Sequence, residues 1–251
     1  MSVSTYLAFI VLGADIAIIA AVLFGLNQSL AAADWSEARR FRTVATFAAG
    51  LTAWFALAAA LGSLEFFRGA AGRLPTIQFG VFLPILVGIA LWFVPAVRRA
   101  IEAVPQSWIV GVQFYRVVGV IFLVLYASGK IPGAFALPAG IGDVLTGLLA
   151  PIVALGYARG RPGAERRVLA WNLFGLLDLV VAVTTGFLTS PSPFQLLSLE
   201  APNELISAFP LVMVPAFAVP LSVLLHLVSL GKLRAASARD ALPPGVRARS
   251  A

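Results

Sequence analysis

Runs of about twenty apolar residues, separated by short polar segments, repeat along nearly the whole chain. Crossing the hydrocarbon of a bilayer as a helix takes about 20 predominantly apolar residues. Seven stretches qualify: Thr5–Leu26, Thr43–Leu64, Ile77–Val97, Ile109–Ser128, Phe135–Tyr157, Val168–Leu188 and Ser207–Leu230. Lipid offers no partner for free backbone groups, and these runs are too long and uniformly apolar for barrel strands. The pattern predicts an all-α, polytopic integral membrane protein with seven transmembrane helices over residues 1–230. Residues 231–251, with Pro243-Pro244-Gly245, read as a disordered basic cytoplasmic tail. Ala31-Ala32-Ala33 has the look of a cleavage site. Even so, no basic residue precedes the first run, which exceeds a signal core in length, so an uncleaved helix is expected.

The basic residues give the spans a direction. Arg39, Arg40, Arg42, Arg98, Arg99, Arg159, Arg161, Arg166, Arg167, Lys232, Arg234, Arg239, Arg247 and Arg249 follow the odd-numbered spans. Only Arg68, Arg73 and Lys130 follow even-numbered ones, and Arg116 falls inside the fourth. Positive residues mark the cytoplasmic side, so the amino terminus is expected outside and the carboxyl terminus inside. Composition agrees: 60% of the residues are hydrophobic and 12% charged, too few polar groups to cover a water-facing surface. The net charge of +7 is spread between apolar runs, which argues against a nucleic-acid partner. The expected partner is the lipid bilayer, with a small solute or proton as possible cargo.

Several chemistries are excluded. Without cysteine there are no disulfides, thiolate metal sites or cysteine nucleophiles, and a single histidine cannot build an all-histidine metal site. No phosphate loop, zinc-protease helix or nucleophile elbow occurs, so neither an enzyme nor a cofactor is expected. The Asn27-Gln28-Ser29 sequon falls at the expected cytoplasmic end of the first span. Seven helices in this orientation resemble microbial rhodopsins, but those carry a Schiff-base lysine in the seventh span. Here the two lysines, Lys130 and Lys232, lie outside the spans.

Ionisable groups at bilayer depth are costly, so they normally face the bundle interior and have partners. Five occur: Asp15, Arg116 and Asp178 near the expected midplane, Asp143 in the outer half and His226 in the inner half. Arg116 shares a face with Gln113 and Gly119, and suits an anion site, the counter-charge of a gated acid, or an ion pair fixing helix packing. Asp143 lies in Leu137-Pro138-Ala139-Gly140-Ile141-Gly142-Asp143, with Thr146 and Gly147 on the same face. Glycine- and proline-rich broken helices are where transporters place ion and substrate sites; a packing seam, with Asp143 capping a bent helix end, is the other reading. Spans five and seven, the latter with Pro210, Pro215 and Pro220, are expected to be bent or locally unwound. His226 shares a face with Ser222 and Ser229 and either relays protons or bonds a neighbouring helix. Before the seventh span, Phe194, Leu196, Leu197 and Leu199 predict a short helix along the outer interface, beside an acidic patch of Glu200, Asn203 and Glu204.

Residues 135–150 and Trp171-Asn172-Leu173-Phe174-Gly175-Leu176-Leu177-Asp178 resemble segments of uncharacterised bacterial seven-helix inner-membrane proteins. The resemblance implies a bacterial inner-membrane setting and brings no activity. Two functions stand open. One is a small-solute or ion transporter, with or without proton coupling, with Asp15, Gln113, Arg116, Asp143, Thr146, Asp178 and His226 along its pathway. The other is a non-catalytic membrane subunit or sensor that uses the same residues for packing and partner docking.

Overall fold

The computed structural model describes residues 3–240, and every regular element among them is helical. Helix α1 spans Val3–Ala32 and α2 spans Glu37–Ser63. After a loop come α3 (Ile77–Trp92) and α4 (Pro95–Ala103), then α5 (Gln106–Gly111), a 3-10 segment (Val112–Gly119) and α6 (Val120–Ala127) in one line. Helices α7 (Gly133–Ala158) and α8 (Ala164–Thr189) follow, and a π turn (Val214–Ala218) leads into α9 (Val219–Asp240). Six of these helical lengths are long and apolar enough to cross a membrane, or seven if α3 and α4 count as one bent span.

The α3–α4 pair departs from the straight helix expected over Ile77–Val97. The two axes meet at 92°. Pro95 sits at the first turn of α4 behind an extended Val94, where its missing N–H costs nothing but the chain must turn. At about 1.5 Å per residue, the 16 residues of α3 reach about 24 Å, short of a full crossing.

Helix α7 runs without interruption from Gly133 to Ala158 despite Pro138 and Pro151, so the local unwinding expected of the fifth span is absent and Asp143 lies in its interior rather than capping an end. The irregular backbone falls in the fourth and seventh spans. The π turn leaves carbonyls without their usual helical donors, and side chains satisfy two of them: Trp54 Nε1 donates to Ala216 O at 3.1 Å and Tyr115 Oη to Ala218 O at 2.9 Å.

No helix forms over Ser190–Glu204, where Leu188 O accepts from Leu196 N at 3.0 Å and Leu197 N at 2.9 Å. These turns still leave Phe194, Leu196, Leu197 and Leu199 exposed. At the other end, α9 continues to Asp240 where a tail was expected from 231; the remainder of that tail, 241–251, lies outside the described residues.

One apolar cluster joins α1 (Leu7, Val11, Ile18), α6 (Phe122, Leu125), α7 (Phe135, Ala139) and the segment before α9 (Leu211, Met213, Phe217). It closes one side of a polar centre.

Candidate functional site

The site begins with a change of helical period. In the 3-10 segment side chains three apart stand directly above one another. Gln113, Arg116 and Gly119 therefore form one inward column, and all three are buried while Phe114 beside them is exposed. The column faces α7 on one side and α8 and α9 on the other.

Arg116 is the hub. Its Nε donates to Asp143 Oδ1 at 2.8 Å, and its Nη2 lies 2.8 Å from the same oxygen. Nη2 also bonds Asp178 Oδ2. Nη1 donates to Gly175 O at 3.3 Å and meets His226 Nε2 at 3.1 Å. A guanidinium has five N–H groups; four hydrogen bonds engage Nε, both Nη1 positions and Nη2, and the second Nη2 contact is the ion pair with Asp143. Of the acids placed at bilayer depth, Arg116 pairs with Asp178 and Asp143, and Asp15 makes no ion pair with it.

Donor logic fixes the next links. Arginine only donates, so His226 Nε2 accepts and the ring is the neutral tautomer protonated at Nδ1. Nδ1 donates to Asn172 Oδ1 at 2.8 Å. Asn172 Nδ2 then donates to Ser229 Oγ at 2.8 Å and to Val168 O at 2.8 Å. Gln106 Nε2, at the first residue of α5, reaches the same Ser229 Oγ at 2.6 Å. A continuous polar string thus joins the centre of the bundle to one end of α5.

Glycines let these groups approach. A Cβ on Gly142 would stand 1.8 Å from Asp178 Oδ1, and one on Gly175 would stand 2.5 Å from His226 Nε2. A glycine stands shortly before each of Asp15, Asp143 and Asp178, and in two cases the reason lies across the interface: Gly142 of α7 seats Asp178 of α8, and Gly175 of α8 seats His226 of α9. The third case, Gly13 before Asp15, has no such neighbour within 4 Å.

Two small cavities border the hub. One, of about 40 Å³, is lined by Asp15, Tyr115, Arg116, Gly119 and Asp143 with apolar residues of α1, α6 and the π turn. The other, of about 60 Å³, runs from Asp143 past Phe122, Phe135 and Phe187 toward Gln78, Ser190 and Ser207. Asp143 borders both. Asp15 and Thr146 are buried, and Asp15 Oδ2 and Thr146 Oγ1 have no hydrogen-bond partner; Gln113, wholly buried, has both amide atoms unpartnered.

Arg116, Asp143, Asp178 and His226 thus meet at one point, Asp15 borders the same cavity as Asp143, and Gln113 lies one turn away in the Arg116 column. Thr146 stands one turn beyond Asp143, its carbonyl accepting from Trp171 Nε1 at 3.0 Å. Sequence reasoning missed Asn172 and Gln106 as members of the network, and placed Ser229 on the His226 face without its partners. A signal existed for Asn172: Val168, Trp171, Asn172, Gly175, Asp178 and Leu179 form the buried face of α8 at helical spacing.

Fold and site together define a class: an all-helical protein whose apolar helices are compatible with a multi-pass membrane setting, built around a buried, charged centre. The chain belongs to the DUF8737 family, a domain of unknown function, whose model matches residues 74–234. No curated protein and no solved structure matches it.

Proposed function

We propose that this chain is a bacterial inner-membrane transporter of a small solute or ion, coupled to protons through Arg116, Asp143 and Asp178. In this reading it crosses seven times, α3–α4 forming the bent span, with the amino terminus outside and the carboxyl terminus in the cytoplasm, as the arginine distribution requires. One observation carries it: two carboxylates, Asp178 buried and Asp143 partly buried, share a single guanidinium. With all three ionised the centre holds a surplus negative charge, which a low-dielectric interior tolerates poorly. A proton or another cation restores neutrality. Asp143 is the acid with access, because it borders both cavities.

Protonating Asp143 removes its attraction for Arg116 and leaves Asp178 as the remaining counter-charge. The 3-10 segment is then free to part from α7, which gives a coupling step between proton binding and helix movement. Cavities of about 40 and 60 Å³ hold a few waters or a small ion, consistent with an occluded form that opens for cargo. Purified protein in proteoliposomes should show flux driven by a pH gradient, reduced at least tenfold in Asp143→Asn and Asp178→Asn at equal protein content. Equal flux in wild type and both variants sinks the proposal.

A second reading rests on the four hydrogen bonds and two ion pairs that tie Arg116 to its neighbours. A hub of that kind also suits a non-catalytic membrane subunit or sensor in which the ion pairs fix packing. In that case the same variants lower protein abundance, and stable partner proteins co-purify.

A further inference from the structure

The cavity on the α1 side of the hub holds an acid that the Arg116 network does not use. Asp15 is 2% exposed, it lines the cavity of about 40 Å³, and its Oδ2 has no hydrogen-bond partner. Charged and titratable groups face it from two elements: Tyr115 and Arg116 from the 3-10 segment, and Asp143 from α7. The π turn, α6 and α9 present hydrocarbon there, through Val214, Ile121, Phe122 and Val219. Arg116 directs its hydrogen bonds to Asp143, Gly175 O, His226 and Asp178 and forms no ion pair with Asp15, and Tyr115 gives its hydrogen to Ala218 O at 2.9 Å. The cation in the wall, Arg116, is already shared by two carboxylates, so no unpaired positive charge there offsets one on Asp15.

An unpaired carboxylate in such a setting becomes neutral rather than remain ionised. A hard metal ion is a poor answer, because it takes about six oxygen ligands and the lining side chains offer oxygens from Asp15, Asp143 and Tyr115 alone. We propose that Asp15 is a second proton-binding site, and that water in this cavity relays its proton to Asp143. A water needs about 10–15 Å³ of such space, so the cavity accommodates two or three. In the relay the Asp15 O–H bond breaks and its proton passes to water, while that water delivers another proton to the Asp143 carboxylate. Asp15 is left ionised, Asp143 neutral, and the water unchanged. The relay rests on the transport reading for its purpose, whereas the proton on Asp15 does not.

Infrared spectroscopy of the full-length protein in detergent tests this. Wild type at neutral pH should show the carbonyl stretch of protonated carboxyl groups, and Asp15→Asn should remove one component. Exchange of that component into deuterated water should slow at least tenfold in Asp143→Asn. Should Asp15→Asn not accumulate, Asp15→Glu should shift the component instead. A spectrum unchanged by either Asp15 variant overturns the proposal, as does a component that sodium abolishes at fixed pH, which makes the cavity a metal-ion site. Unslowed exchange in Asp143→Asn removes the relay. Protein that shows the Asp15 component but no flux keeps this site and loses the transport reading.

Discussion

Helices α2 and α7 are nearly the same length, yet they are built on opposite plans. Of the most apolar 18-residue stretch in each, 6% is buried in α2 and 44% in α7. Helix α2 turns Phe41 and Leu57 outward and buries only Ala58 and Gly62. Helix α7 is enclosed by the fourth span and α8, and carries Asp143 against Arg116. Where lipid is as apolar as the protein, burying hydrocarbon drives little association between helices, and close packing and hydrogen bonds hold them together. An apolar helix can therefore stay at the edge while a polar, glycine-rich one is drawn to the centre. The family match over 74–234 takes in α3 to most of α9, and with them Arg116, Asp143, Asp178 and His226.

Three substitutions would break or sharpen this contrast. Arg116→Leu should have the largest effect, because it strands the buried Asp178 and the partly buried Asp143; removing one partner of a buried pair costs about 3–5 kcal/mol. Unfolding of the purified protein in detergent should show that loss, and a change within 1 kcal/mol (about fivefold in the folding constant) would show that the hub does not hold the bundle together. Gly142→Ala comes next: its Cβ lands on Asp178 Oδ1, and overpacking of this kind costs about 1–3 kcal/mol. Gly50→Ala in α2 is the matched control, with nothing within 4 Å of the new Cβ. It should leave stability unchanged or raise it by at most about 1 kcal/mol, the helix preference of alanine over glycine. Equal losses from the two glycine substitutions would erase the distinction between edge and centre.

Much of the fold was legible because length and apolarity are read directly from the chain. The five ionisable residues singled out lie in helical segments, and three of them converge on the guanidinium of a fourth, Arg116. Depth was the weaker guide. Asp143 and His226 were assigned to opposite halves, yet both reach Arg116, since a long arginine side chain bridges levels that residue counting separates. Irregular backbone was sought in the fifth and seventh spans; the seventh has its π turn at Val214–Ala218, but the fifth runs unbroken and the shift to 3-10 geometry lies at Val112–Gly119, which has no proline. Hydropathy carries no record of helical period within a continuous apolar run. Asn172 and Gln106 escaped notice because uncharged amides read as neutral packing until a partner is known.

The string from Arg116 through His226 and Asn172 to Ser229 has a sense of direction, each group giving a hydrogen to the next. Turning over the Asn172 amide alone would set one donor against the imidazole N–H and leave Ser229 facing a carbonyl oxygen. The links are thus interlocked like teeth on a ratchet. A ligand that draws the guanidinium away from His226 would free the imidazole to change tautomer, and the reversal could then travel as far as the first residue of α5.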